Sequence, residues 1–485
     1  MLTVEGTVAY WPHLAGAATL GATLATAVHI ILHKDDTRAA AGWLGLVWFA
    51  PILGVCVYWV FGINRIKRRA RVLFAGRDTV ELPEQPSAVA PGALREFLPE
   101  GQRHLVHLAE LTERITRQPL LGGNRVTLLV DGDQAYPQML AAVETAECSV
   151  SLSTYIFDND RWGKRFRVSL RAAVARGVEV RVLVDAIGAR YSFPSIIWGL
   201  RRDRVPVARF MRSVTPWGFR YLNLRTHRKI LVVDGRLGFT GGMNIRAGNV
   251  LGDRPRHPTR DLHVRVEGPV VAELQRAFAD DWKFSTREAL VGTAWFPRLD
   301  PVGQAVARGI SDGPDEDFDK LRFALLGALA CARSSVRIAT PYFLPDMEIE
   351  TSLRVAALRG VDVRILLPEK NNLRVVQWAS TAGLAPLLES GCRVFLSPPP
   401  FDHSKLTMVD DAWTLFGSAN WDPRSLVLNF EFNVECYGPV LATEVGEWFD
   451  HRLSASQELR SEDLARRPAL ARFRDCAFRL FSPYL

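Results

Sequence analysis

A chain of 485 residues, 48% of them apolar, exceeds what one hydrophobic core usually fills and can supply two or three. Its formal net charge of +8 favours an anionic partner, without choosing among nucleic acid, phospholipid and acidic metabolites. The six cysteines, Cys56, Cys148, Cys331, Cys392, Cys436 and Cys476, contain no CxxC or similar pair; this argues against metal binding and for reduced, mostly buried packing residues.

The N-terminus narrows the choice of anion. No Asp, Glu, Lys or Arg occurs from Gly6 to Leu32, nor from Ala39 to Ile63, and each run is long enough for a membrane span. The break between them, His33-Lys34-Asp35-Asp36-Thr37-Arg38, is short, so residues 1–64 are expected to form a two-helix transmembrane hairpin. Trp43, Trp48, Tyr58 and Trp59 suit an interface-anchoring second span. It ends in Arg65, Lys67, Arg68, Arg69 and Arg71, which outweigh Lys34 and Arg38 in the turn. The positive-inside rule then puts the remainder of a multi-pass inner-membrane protein in the cytoplasm. A cleaved signal peptide would need a basic start, whereas the first twelve residues hold only Glu5. The first run, rich in Ala, Gly and Thr, also fits a re-entrant or interfacial segment.

Residues 65–124, with Pro83, Pro86, Pro91 and Pro99, read as a basic stop and linker carrying a short helix near His104 to Arg117. Val126–Val130 is then a strand candidate, Tyr136–Ala146 a helix and Ser149–Phe157 a second strand. The order recurs as a helix over 318–332 and a strand over Ser335–Phe343. Arg176-Gly177-Val178-Glu179-Val180-Arg181-Val182-Leu183 also matches Arg359-Gly360-Val361-Asp362-Val363-Arg364-Ile365-Leu366. The chain is internally duplicated. It is expected to form an α/β fold of two similar sandwich lobes, residues 125–305 and 306–455, about a pseudo-two-fold axis. A basic and aromatic C-terminal helix follows in 456–485.

The repeat carries chemistry-bearing residues. His227-Arg228-Lys229, four residues, Asp234, six residues, Gly241-Gly242-Met243-Asn244 recurs 176 residues later as His403-Ser404-Lys405, four residues, Asp410, six residues, Gly417-Ser418-Ala419-Asn420. Asp261 and Glu431 follow at matching places, the first half having six extra residues after Asn244, expected as a loop near the site entrance. Gly241, Gly242 and Gly417 fit turns or close approaches. Tyr155 and Tyr342, on matching strands, suit either core or substrate contact.

Two HxKxxxxD motifs, each with a following asparagine, resemble the phospholipase D superfamily over roughly residues 125–455. With the N-terminal hairpin, Thr340-Pro341-Tyr342-Phe343 and the ending Arg479-Leu480-Phe481-Ser482-Pro483-Tyr484-Leu485, the chain resembles its cardiolipin synthases. Just ahead of His227, Asn223-Leu224-Arg225-Thr226 departs from the second asparagine that family often carries.

A phosphodiester repels nucleophiles, so catalysis without metal or cofactor needs charge neutralisation and a nucleophile better than water. Lys229, Lys405, Asn244 and Asn420 can donate to the non-bridging oxygens. The resemblance implies attack by His227, giving a phosphohistidine, and proton transfer by His403, with near-symmetry leaving the reverse open. Asp261 is expected to orient His227, and Glu431 to orient His403. Asp234 and Asp410 complete the motif set and are expected to order the neighbouring turns.

The implied reaction is phosphatidyl transfer between two phosphatidylglycerol molecules, giving cardiolipin and glycerol. A hydrolase releasing phosphatidic acid would share every catalytic residue. A membrane-tethered nuclease would fit the charge but not the paired apolar runs, and nucleic acid is not the expected partner. The basic, aromatic stretch Trp198 to Tyr221 and the Arg466–Arg479 helix suit a membrane-facing surface.

Overall fold

The structure is a computed structural model that describes residues 4–34, 37–62, 87–211, 224–314, 317 and 319–482. It divides into two units, Met1–Leu73 and Phe74–Leu485. Arg65 to Arg71, Pro83, Pro86, Arg212 to Tyr221 and the last three residues lie outside the described residues.

In the first unit the helix Val4–His33 contains one apolar segment of membrane-spanning length, Trp11–His33. The second apolar run is not one helix. Pro51 lacks an N–H and cannot extend the preceding turn, so the run divides into Thr37–Phe49 and Pro51–Val57. Among the described residues there is therefore one helix of spanning length where two were expected. The broken run nevertheless folds back on the first. Trp59 Nε1 donates to Thr26 Oγ1 at 3.0 Å, His29 Nδ1 lies 2.8 Å from the Tyr58 hydroxyl, and Ile30, Val47 and Tyr58 form a small core. Leu14, Ile31, Leu32, Phe49, Ile52 and Leu53 point outward, as they would toward lipid.

The second unit contains the duplication. Its first lobe has β1 (Leu120–Val130), β2 (Ser149–Thr154), β3 (Glu179–Asp185), β4 (Val207–Phe210), β5 (Ile230–Val233), β6 (Leu237–Gly241) and β7 (Leu262–Glu267). Their order is β4-β3-β2-β5-β6-β7-β1, with β4, β3 and β2 parallel and the other neighbours antiparallel. The second lobe has β8 (Ala305–Asp312), β9 (Ser335–Ala339), β10 (Asp362–Pro368), β11 (Arg393–Ser397), β12 (Leu406–Val409), β13 (Trp413–Gly417) and β14 (Asn429–Tyr437). Their order, β11-β10-β9-β12-β13-β14-β8, repeats the first lobe strand for strand. The lobes join where the N-terminal half of β1 pairs with β8, Leu121 opposite Ala307 and Asn124 opposite Ala305.

Each sheet is covered by helices. In the first lobe, Val150, Leu152, Val180, Val182 and Val184, alternating along β2 and β3, pack with the helices Asp131–Thr145 and Arg161–Ala175. Helix Val271–Thr286 packs on strands of both lobes. In the second lobe, Val336, Ile338, Val363 and Ile365 bury against helices Lys320–Cys331 and Met347–Leu358.

The stretch expected as a linker corrects to part of this second core. Leu94, Leu98, Leu105 and Leu108 are buried in it, and helix Val106–Thr116 lies where the helical piece was expected. Buried Arg308 on β8 explains the docking: its Nε donates to Glu435 at 2.6 Å, and its other nitrogens donate to the carbonyls of Ala109 and Gln118. The cysteines also depart from expectation. No pair is bonded, but only Cys392 and Cys436 are buried, while Cys56, Cys148 and Cys476 are exposed.

Candidate active site

Both motif histidines are held by the opposite lobe. Immediately before His227, Arg225–Thr226 pairs in parallel with Asn429–Phe430 of the second lobe, and the His227 N–H donates to the Phe430 carbonyl at 2.9 Å. The next residue on that strand is Glu431, whose carboxylate lies 3.0 Å from His227 Nδ1. The arrangement recurs with the lobes exchanged. Phe401–Asp402 pairs with Thr259–Arg260, the His403 N–H donates to the Arg260 carbonyl at 2.8 Å, and Asp261 lies 2.8 Å from His403 Nδ1. The expected partners are thus exchanged: Glu431 orients His227, and Asp261 orients His403. The reason is the inter-lobe strand pairing, which seats each acid beside the other half's histidine.

The two histidines line one cavity of about 830 Å³, together with Asn244, Asn420, Asp261, Tyr155 and Tyr342. The loop with the six extra residues contributes Arg246, Asn249, Arg256 and His257 to its wall. Tyr155 meets His227 edge-on at 5.4 Å between ring centres, and Tyr342 meets His403 at 6.1 Å. These tyrosines face the cavity. Arg225, Arg246, Arg256 and Arg424 make its lining strongly cationic. None of the four belongs to the repeated motif; the closeness of Arg225, Arg246 and Arg424 in the chain to His227, Asn244 and Asn420 is the signal that points to three of them.

Lys229 and Lys405 are buried, and each turns its ammonium to the carbonyl of its own motif histidine, at 2.6 and 2.7 Å. Burial lowers them to about 7 and about 8 respectively, against the opposing pull of Glu431 and Asp261. Asn244 Oδ1 accepts from the Ile156 N–H at 2.9 Å, while Asn420 Nδ2 donates to Ser425 Oγ at 3.1 Å. The buried Asn420 Oδ1 has no protein partner among the described residues.

The half-sites differ electrostatically. Ser418 Oγ and Asn429 Nδ2 donate to Glu431; against burial, the charge and hydrogen bond of His227, with Lys229 and the Ser418 hydroxyl, hold its carboxyl down at about 2. The place of Ser418 is taken in the first half by Gly242, where a Cβ would come within 2.1 Å of Asp261 Oδ1. Asp261 therefore lacks that hydroxyl donor, and burial pushes it up to about 7. Burial also lowers both histidines, His403 further, with Lys405 and Lys229 adding to the effect there and Glu431 opposing it at His227.

Asp234 and Asp410 stand at the far ends of β5 and β12, in left-handed conformations, and neither lines the cavity. Asp234 accepts from the N–H groups of Glu147, Cys148 and Ser149; Asp410 accepts from those of Arg333, Ser334 and Ser335 and lies 2.7 Å from buried His104. They order turns, as the residue-level expectation had it, and their place in the catalytic set corrects to a scaffolding one. Among the described residues no group of three or more His, Cys, Asp or Glu is arranged to hold a metal ion.

The family described as "Cardiolipin synthase, PLD-like domain" matches residues 139–282 and 325–453, which together hold both half-sites. The chain belongs to this phospholipase D-like cardiolipin synthase family. A second family, described as "Phospholipase_D-nuclease N-terminal", matches residues 21–62. Cardiolipin synthase 2 of Staphylococcus epidermidis is 30% identical over 461 residues, covering 94% of each chain. Cardiolipin synthase 1 of Bacillus cereus is 29% identical over 468 residues, covering 94% of this chain and 91% of that one. A crystal structure of a phosphatidylserine synthase from Haemophilus influenzae shares the fold, with a TM-score of 0.61 at 14% identity over 78% of this chain.

Proposed function

We propose that this protein is a cardiolipin synthase that moves a phosphatidyl group between two phosphatidylglycerol molecules. The observation that carries this reading is the pair of acid-backed histidines in one cationic cavity of a chain in this family. His227 Nε2 attacks the donor phosphorus as the bond to the glycerol oxygen breaks, and His403 gives that oxygen its proton. Glycerol leaves, with the phosphatidyl group bonded to His227. The hydroxyl of the second phosphatidylglycerol then loses its proton to His403 as its oxygen displaces His227 from phosphorus. One phosphodiester replaces another, so the balance needs no nucleotide.

The asymmetry of the half-sites supports this division of labour. An ionised Glu431 at Nδ1 favours the positive charge that His227 develops on attack. Burial raises Asp261 to about 7 and lowers His403, so the proton that the pair transfers is held by Asp261 until the ring needs it. Lys229, Lys405, Asn244 and Asn420 neutralise the non-bridging oxygens in the five-coordinate transition state.

We read the N-terminal unit as the membrane attachment, with the broken second run completing a hairpin and the catalytic unit in the cytoplasm. Trp198, exposed beside Arg201 and Arg202, suits a lipid-facing surface, as does the C-terminal helix with exposed Leu470 and Phe473. The deciding assay uses purified protein in phosphatidylglycerol vesicles, without added metal or nucleotide. Cardiolipin and glycerol are expected from wild type, and neither from His227→Ala or His403→Ala. Phosphatidic acid as the main product would make the enzyme a hydrolase, and cleavage of DNA at low salt would favour a nuclease.

A further inference from the structure

Transfer between two phosphatidylglycerols brings two phosphodiesters into one cavity, and the histidines, lysines and asparagines serve only the one that reacts. The acceptor's hydroxyl is joined to its own phosphate by a three-carbon bridge. That second negative charge must rest a short step from the histidines. The cavity wall contains a group of cations that the mechanism does not use.

Arg424 lines the cavity, half-buried, four residues past Asn420. Among the described residues its guanidinium makes no side-chain hydrogen bond or ion pair. Arg225 lines the same cavity two residues before His227 and is buried, with a guanidinium nitrogen 3.0 Å from the Leu224 carbonyl. Its Nε is 4.0 Å from Asp185. That carboxylate already accepts from the N–H groups of Ile187, Gly188 and Thr226. Burial lowers the pKa of Arg225, Asp185 opposes the shift, and the like charges of Arg424 and exposed Arg190 are near enough to lower it further. Asp422, which with Asp261 supplies the carboxylates of the cavity lining, has one oxygen on the Ser425 N–H at 2.7 Å, and burial raises it to about 6 against the pull of Arg424, as burial raises the nearby Asp185. Arg225, Arg246, Arg256 and Arg424 thus outnumber Asp261 and Asp422 on the cavity wall, and like charges held this close at a half-buried site call for a bound anion.

Resting on the proposed function, we infer that Arg424 and Arg225 form a second anion site that holds the phosphodiester of the acceptor lipid and turns its hydroxyl toward the phosphatidyl-histidine. The site selects the acceptor. Water and simple alcohols carry no charge for it to hold, so it raises transfer to an anionic lipid over transfer to them.

The test gives the enzyme a choice of acceptors in vesicles of phosphatidylglycerol with 1-propanol in the buffer. The readouts are the ratio of cardiolipin to phosphatidylpropanol and the apparent KM for acceptor phosphatidylglycerol. Arg424→Gln is expected to lower the ratio at least tenfold, chiefly through KM, and Arg424→Lys to restore part of it. An unchanged ratio in Arg424→Gln overturns the acceptor site, as does an equal fall in both products, which would assign Arg424 to the donor or to the fold. Wild type that forms phosphatidylpropanol and no cardiolipin overturns the function itself, and the acceptor site with it.

Discussion

Nδ1 of His227 lies 3.0 Å from a carboxylate oxygen of Glu431, 204 residues further along the chain and in the other lobe. The reciprocal pair, His403 and Asp261, spans 142 residues. Each two-residue strand that delivers a histidine is hydrogen-bonded to the strand that delivers its acid, so the exchange is built by the backbone and not by the reach of side chains.

This crossing is measurable. Double-mutant cycles with Gln at positions 227 and 431, followed by denaturant unfolding, should give a coupling of about 1–3 kcal/mol, and so should positions 403 and 261. The within-lobe combination of 227 with 261 should give a markedly smaller coupling. Equal couplings in all combinations would break the crossed arrangement.

The acid and base pair should set the alkaline limb of the pH profile. Asp261 is raised to about 7 by burial, so below about pH 7 the pair with His403 retains a proton and above it that proton is lost. Since the proposed departure of glycerol requires it, kcat should fall as pH rises through about 7. Asp261→Asn has no carboxyl to titrate, so its weaker activity should keep only the alkaline loss that Lys229 and Lys405 impose as they lose charge above about 7 and about 8. An identical limb in wild type and variant would exclude Asp261 as its origin.

Ser418 should act through Glu431. Ser418→Ala removes a donor to a buried carboxylate, which costs about 1.5–3 kcal/mol and lets the Glu431 pKa rise. The sign follows from the depressed value: the stability that a low Glu431 pKa contributes is fully present above about 4.5 and is lost as pH falls through about 2. The Tm difference between wild type and variant should therefore hold from pH 8 to about 5 and shrink below that. A difference that grows on acidification would contradict it.

Asp410→Ala should damage stability more than chemistry. Three backbone N–H groups and His104 lose their acceptor, a loss of about 2–4 kcal/mol. At a temperature where the variant remains folded, its kcat should stay within a few-fold of wild type; a loss comparable with that of His403→Ala would return Asp410 to the chemistry.

The duplication, the strand and helix order and the motif residues could be read from the chain because each depends on local spacing. The pairing of acids with histidines could not, since nothing within 227–261 or 403–431 states which lobe a neighbouring strand joins. For the same reason β1 begins at Leu120 instead of Val126: its first residues are strand because β8 and the short strand Ala88–Val89 pair with them. Leu94 and Leu98 looked like linker residues until Arg308 and the second core gave that stretch something to bury against. Pro51, by contrast, was visible all along, and a composition window that counts only charges passes over it.

Because each lobe supplies the acid for the other's histidine, the duplicated halves have lost the option of separate lives. A growing chain that has not yet emerged past Glu431 carries His227 without its acid. Phosphodiester chemistry is thereby withheld until synthesis is nearly complete, and a protease cut that lets the lobes part would silence both histidines at once.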